Sequence, residues 1–287
     1  MIGGIYGGSF EFVGAGLGSY LFFYLFLLIA SGCLWELGGL LLPKDEKYRL
    51  VRRLIGCLMG ILPILWIGHK ILFYMVFGSD FNPEQYIKAR WSAPFTTTAE
   101  ILVLEIILVF LALVFELFSN SRSPFQNVAT YVLGIFYISF PTVLLFSLAT
   151  QDAVSYQPHR VFGILWLIWT NDTMAYLIGS RIGRTKLFER ISPKKTWEGA
   201  IGGGLCTVVM AWLISLYFND FSQAQWLALG GVVAVFGNLG DLVESMLKRS
   251  VNVKDSGTLL PGHGGLLDRF DSFIFVLPFA WLVSVLV

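Results

Sequence analysis

The chain has 287 residues, of which 56% are hydrophobic and 16% aromatic, while only 14% are charged. A water-exposed globule cannot hide that much apolar side chain, so a soluble protein is excluded; the net charge of +1 decides nothing, because a membrane protein is oriented by where its Lys and Arg fall. Cys33, Cys57 and Cys206 all lie in apolar runs without metal-ligand spacing, and an odd number cannot form a complete disulfide set, so they are expected to be small core residues.

The first Lys or Arg is Lys44, so the beginning lacks the basic head of a secretory signal and the first apolar stretch is expected to remain in the protein. Residues 1–18 carry seven glycines around a lone Glu11, and whether they cross a membrane stays open. Roughly 20 apolar residues span a bilayer. Runs that reach or approach this length occupy about 19–42, 54–77, 99–118, 126–149, 161–180, 199–218, 226–246 and 272–287. The expected fold is an all-α, polytopic transmembrane protein of about eight spans, nine if the beginning also crosses. It is read as a single membrane domain over 1–287, with the chemistry concentrated in 160–271.

Basic residues then set the orientation. Lys44, Lys47, Arg49, Arg52 and Arg53 follow the first span, Arg122 the third, six the fifth and four the seventh, whereas the opposite loops hold only Lys88, Arg90 and Arg160. By the positive-inside rule the rich loops at 43–53, 119–125, 181–198 and 247–271 are expected on the cytoplasmic side. Asp80 to Arg90 is expected as a solvated loop on the far side.

Isolated polar residues in or near the apolar runs are Glu36, His69, Lys70, Glu105 and Glu116. None belongs to a motif, so interfacial snorkelling or interhelical hydrogen bonding is expected of them. Asn171 and Asp172 differ, because they sit about 12 Å from the basic end of the fifth span at 1.5 Å per residue. A carboxylate at that depth is costly unless it is paired, hydrated or bound to a cation, which marks a functional site. Asp241 and Glu244 approach the same end of the seventh span at similar depth; pairing of each acid with a neighbouring Arg is the structural alternative.

Between the fifth and sixth runs the chain reads Ser192, Pro193, Lys194, Lys195, Thr196, Trp197, Glu198, Gly199. That is either an ordinary basic loop with Pro193 opening a helix, or a cationic clamp for phosphates. The richest segment is Ser245 to Asp271, SMLKRSVNVKDSGTLLPGHGGLLDRFD. It places Lys248, Arg249, Lys254 and Arg269 beside Asp255, Asp268 and Asp271, with Pro261, Gly262, Gly264 and Gly265 around His263. The cations suit a triphosphate. The acids suit a hard divalent ion that bridges carboxylates and phosphates, and the glycines let backbone approach a ligand closely.

This segment resembles the signature of the phosphatidate cytidylyltransferase (CDP-diacylglycerol synthase) family, of the form S-x-hydrophobic-K-R-x4-K-D-x-small-x2-L-P-x-H-G-G-hydrophobic-x-D-R-hydrophobic-D. Ser245, Lys248, Arg249, Lys254, Asp255, Gly257, Leu260, Pro261, His263, Gly264, Gly265, Asp268, Arg269 and Asp271 occupy its positions. Upstream, Asn171-Asp172 with Ala175-Tyr176, Ser192 to Gly199, and Gly237 with Gly240-Asp241 also match the family. The Gly-rich beginning departs from the family's basic-headed first helix.

The resemblance implies attack by a phosphatidic acid phosphate oxygen on the α-phosphorus of CTP, giving CDP-diacylglycerol and pyrophosphate for phospholipid synthesis. A phosphate monoester is largely ionised at neutral pH, so the obstacle is repulsion between anions rather than the lack of a base. Under this reading Asp241, Asp268, Lys248, Arg249 and Lys254 carry the reaction, with Asp241, Asp268 and Asp271 as ligands of Mg2+ and Asp172 as a further candidate. Ser192, Lys194, Lys195, Thr196, Asn171, Asp172, His263, Gly264, Gly265 and Arg269 are expected at the substrates. His263 either contacts a phosphate or braces the glycine turn. The expected partners are CTP, phosphatidic acid and membrane lipids, with no nucleic acid and with a homodimer left open; the expected place is the inner cell membrane.

Two other classes compete with this reading. A CTP-dependent lipid kinase would use a similar pocket and transfer the γ-phosphoryl group. An ion-coupled transporter would line a cation path with Glu36, Glu105, Asp172 and Asp241, and would leave Ser245 to Asp271 unexplained. A CDP-alcohol phosphotransferase is disfavoured because its acidic D-G-x2-A-R signature is missing.

Overall fold

A computed structural model of the protein describes residues 17–44, 47–77, 94–151, 155–257 and 264–287. Within these, helix α1 spans Leu17–Leu41, α2 Arg49–Phe77, α3 Pro94–Ser119 and α4 Pro124–Leu148. A two-residue hairpin follows, with β1 (Thr150–Gln151) antiparallel to β2 (Ser155–Tyr156), before α5 at Pro158–Ile182. A second hairpin pairs β3 (Lys186–Phe188) with β4 (Ser192–Thr196) and leads into α6 (Trp197–Ser215), α7 (Gln223–Ser250) and α8 (Leu267–Leu286). Among the described residues, eight helices are long and apolar enough to cross a membrane, in keeping with a polytopic all-α protein. The segment 1–16, the 80–90 loop, the side chains of His69 and Lys70, and His263 lie outside the described residues.

The described chain forms two compact units that meet in sequence between Tyr156 and Gln157. In the first, α2 is the central element and presents Gly56, Gly60 and Gly68 along one face. A Cβ at these positions would stand 2.8 Å from the Tyr131 ring, 2.6 Å from Leu34 and 2.6 Å from Phe23. Absence of side chains on that face therefore lets α1 and α4 approach closely, the usual packing device where hydrocarbon surrounds both partners. Arg52 and Glu116, each 1% exposed, tie α2 to α3 through Nε–Oε1 at 2.7 Å and Nη2–Oε2 at 2.9 Å. Ser119 Oγ accepts from the same guanidinium at 2.7 Å. Glu116 thus makes the interhelical contact expected of it. Glu105 does not: it is buried on the face of α3 that also carries Ile101 and Ala112, and neither of its oxygens has a hydrogen-bond partner.

The second unit brings together α5 with α6 and α7 with α8. Gly199 and Gly203 of α6 face Ala175 and Asn171 of α5 so closely that a Cβ would meet the Ala175 carbonyl at 2.6 Å and the Asn171 carbonyl at 2.9 Å. Gly240 of α7 does the same against α8, where a Cβ would lie 2.8 Å from Phe275 and 3.0 Å from the Ser272 backbone. These approaches carry Asp172 and Asp241 toward the neighbouring helices. Both α4 and α7 contain a five-residue π-helical stretch, Ile135–Ser139 and Val233–Gly237, and the second lies immediately before Asn238. An added residue per turn rotates the side chains that follow it, and such bulges recur at functional sites.

Two helix boundaries differ from those expected. Helix α7 continues to Ser250, so Lys248 and Arg249 are in its last turn rather than in a loop; cations there meet the negative end of the helix dipole. It then stops at Asn252, whose φ of +57° is the left-handed conformation that asparagine tolerates after a helix. Helix α8 begins at Leu267, so Asp268 and Asp271 belong to its first turns, where an acid is favoured, and not to the preceding loop. Pro193 likewise opens no helix: it lies in β4, and α6 starts at Trp197 with the Thr196 hydroxyl accepting from Gly199 N–H at 3.2 Å.

Candidate active site

The β3–β4 hairpin sets the first part of the site. Its register pairs Lys186 with Thr196 and Phe188 with Ser192, and Trp197 N–H donates to the Thr185 carbonyl at 3.0 Å. Glu198, in the first turn of α6, accepts from Arg184 and Thr185 N–H at 3.1 Å each, so the hairpin is fastened to the helix start at both ends. This places Lys194 exposed on the hairpin and directs Lys195 inward, where its Nζ lies 2.6 Å from Asp241 Oδ2 of α7. Lys195 also donates to the Asn238 carbonyl at 3.4 Å. Ser245, one turn beyond Asp241, donates to its other oxygen at 3.2 Å.

A second ammonium anchors the other half. Lys248 Nζ sits 2.6 Å from Asp268 Oδ1 and is in ion-pair contact with Glu244, four residues earlier on its own helix. Asp268 Oδ2 accepts from Ser256 N–H at 2.9 Å and Gly265 N–H at 2.8 Å. One carboxylate therefore joins the end of α7, the segment after it and the start of α8. Gly264 makes the bend possible: its φ is +84°, and a Cβ there would stand 3.0 Å from Asp268 Oδ2.

Asp172 lies in the electrostatic field of Lys195 and Asp241, and Asp271 in that of Asp241, Asp172 and Lys248. Asp241, Glu244 and Asp268 thus pair with two ammonium groups, with Asp172 and Asp271 in the same electrostatic neighbourhood, so that hard carboxylate oxygens outnumber the lysines. Among the described residues no three His, Cys, Asp or Glu side chains form a ready-made metal cage. Magnesium commonly takes one or two carboxylates, keeps water and completes its shell with substrate phosphates, and carboxylate oxygen is the donor type these residues present. Asp241 retains acceptor capacity on both oxygens after these two contacts.

Of the remaining expected residues, Arg249, Lys254 and Arg269 are exposed near this centre in sequence, and Arg249 donates to the Val253 carbonyl at 2.9 Å. Asn171 is wholly buried; its Oδ1 lies 3.5 Å from both Thr207 Oγ1 and Asn238 Nδ2, so it braces α5 against α6 and α7. Thr196 caps α6, and Ser192 stands at the β4 end of the hairpin register. Asp241, Glu244 and Asp268 are paired with lysines. Glu244 and Ser245 carry no expected role from sequence, although the i,i+4 spacings 244/248 and 241/245 signal both contacts on a helix.

Comparison with known proteins agrees with the motifs. A family model described as "Cytidylyltransferase family" matches residues 2–287. Phosphatidate cytidylyltransferases of Staphylococcus aureus (strain COL), Staphylococcus saprophyticus and Staphylococcus haemolyticus are 42%, 41% and 40% identical to the chain over 171 residues. Each alignment covers 59% of this chain and 64% of the relative, so the chain spans just under two thirds of the length of the curated relatives it matches. With the model covering nearly every residue, and with its signature acids and lysines drawn into one centre, the chain belongs to the cytidylyltransferase family.

Proposed function

We propose that the protein transfers the cytidylyl group of CTP to phosphatidic acid, releasing pyrophosphate and leaving CDP-diacylglycerol in the membrane. The observation that carries this reading is the pairing of motif lysines with motif acids, Lys195 with Asp241 and Lys248 with Asp268, in a unit of membrane-spanning helices. Two anionic phosphates must be brought together, and ammonium groups positioned by carboxylates can be shared with phosphate oxygens. A phosphatidic acid oxygen forms the new bond to the α-phosphorus while the bond to the pyrophosphate oxygen breaks. No proton has to be removed from the ionised nucleophile.

Lys195 and Lys248 stabilise the charge spread over the transferring group, and the exposed Lys194, Arg249, Lys254 and Arg269 receive the rest of the triphosphate. Glu244 and Asp268 hold Lys248 in place, and Asn171 and Thr196 keep the helices and hairpin in register. Asp241, Asp268 and Asp271 would hold magnesium, which when bound neutralises phosphate charge and orients the phosphates. The site is read as facing the basic side of an inner cell membrane, the side that CTP reaches.

The test is the purified protein in detergent with phosphatidic acid, magnesium and CTP labelled on the α-phosphate. Labelled lipid together with pyrophosphate is expected. Labelled water-soluble CDP with phosphorylated lipid would assign the protein as a kinase, and no lipid-linked cytidylate would end the proposal.

A further inference from the structure

The first unit carries a groove that the proposed chemistry does not use. The Arg52–Glu116 pair fixes the register of the antiparallel helices α2 and α3, and Met59 and Ala112 pack together in the buried cluster behind them. On the outer side of this seam a groove of about 520 Å³ runs between Ile55, Leu58, Leu62 and Leu65 of α2 and Leu111 and Phe115 of α3. Leu58 is 62% exposed and Leu111 57%, so the groove opens outward into the membrane. Its α2 wall from residue 55 to 65 rises about 15 Å at 1.5 Å per residue. That is half of a hydrocarbon core roughly 30 Å thick, the depth of one leaflet.

The end of the groove at Phe115 is polar in a specific way. The Phe115 ring contacts the ring of Tyr48 edge-on at 6.2 Å, and Lys47 Nζ stands 5.4 Å from the Tyr48 ring centre. Lys44, Lys47 and Tyr48 are all exposed, and Asp45 and Glu46 stand between the two lysines in sequence, so Lys47, against Tyr48, is the cation placed at the groove end. Arg52 contributes no attraction for a further anion because Glu116 neutralises it. A leaflet-deep apolar channel thus ends at an interfacial tyrosine and exposed lysines, which matches an acyl chain below an anionic headgroup.

We propose that this groove is a binding site for an anionic phospholipid of the leaflet at the basic end, with one acyl chain along α2 and α3 and the headgroup at Lys47 and Tyr48. The inference does not depend on cytidylyl transfer. Phosphatidylglycerol is the probe, because it is anionic but lacks the phosphate monoester of the proposed substrate. Native mass spectrometry of the full chain, titrated with phosphatidylglycerol or phosphatidylcholine of matched acyl chains, reads the number bound and the affinity. Lys47→Gln, a surface change, is expected to weaken phosphatidylglycerol about fivefold, the effect of one cation at a lipid surface, without changing phosphatidylcholine. Leu58→Trp with Leu111→Trp fills the channel and is expected to remove one bound lipid of either kind. Unchanged phosphatidylglycerol affinity in Lys47→Gln, or an unchanged lipid count in the folded double variant, overturns the proposal. A double variant that loses a dimer mass instead of a lipid assigns the groove to a second copy and overturns it equally.

Discussion

Asp241 and Asp268 each sit 2.6 Å from a lysine nitrogen, but their remaining contacts give them different work. Among the described residues Asp241 adds the Ser245 hydroxyl, whereas Asp268 also holds the backbone N–H groups of Ser256 and Gly265. Asparagine preserves the size of either side chain and removes the charge. At position 268 it also replaces one acceptor oxygen with a donor, which must then face either Lys248 or the two N–H groups. Both Asp→Asn variants are therefore expected to lose about 100-fold or more in turnover if the centre stabilises transferring phosphate. Only Asp268→Asn is expected to destabilise the fold, by about 1.5–3 kcal/mol for lost bonds to a charged acceptor. Turnover and thermal unfolding in detergent, measured on both single variants and the double, check this; the double should be little slower than either single if the acids act as a unit. A normal rate in either folded variant would remove that acid from the centre. Much of this was legible as residue identity, because acids and lysines in the Ser245 to Asp271 segment have few structural excuses. Their partners were not: the Lys195–Asp241 contact joins residues 46 apart in sequence, and no local spacing predicts it.

Helices were the most legible elements, since hydrocarbon demands long apolar runs with internally bonded backbone, and hydropathy reports that demand directly. It reports the membrane, however, and not the helix. Helices α7 and α8 continue through Lys248-Arg249 and Asp268-Arg269, polar residues that suit helix ends but fall outside an apolar window. The β3–β4 hairpin left no readable pattern because Ser192 to Thr196 is short and polar, and the π-helical stretches at 135–139 and 233–237 leave none either. Elements of the first unit are joined by a buried ion pair whose removal can be tested. Arg52→Met leaves Glu116 charged and unpaired among α2, α3 and α4, and should cost about 3–5 kcal/mol. Arg52→Met with Glu116→Leu removes both charges and should recover most of that loss, because a well-packed apolar pair is about as stable as the buried ion pair it replaces. Unfolding midpoints of the two variants in the same detergent decide the point, and a double variant less stable than the single would show that the pair adds net stability of its own.

At the scale of the whole molecule, eight described helices are long and apolar enough to cross a membrane, and 16 of the 20 Lys and Arg fall in the segments at 43–53, 119–125, 181–198 and 247–271. Such an imbalance sets the orientation of short-looped membrane proteins, so these loops should face the cytoplasm. The structure also decides where to look. Ser256 is only 6% exposed and its N–H is held by Asp268, so a cysteine there would react poorly from either side; Asp255 and Gln223 are exposed and lie on opposite sides by helix count. Starting from a variant in which Cys33, Cys57 and Cys206 are serine, Asp255→Cys should be labelled only after a membrane-impermeant thiol reagent is admitted to the cell interior. Gln223→Cys should react from outside in intact cells. The reverse pattern would invert the protein, place the acid–lysine centre on the side without CTP, and remove the proposed reaction together with the orientation.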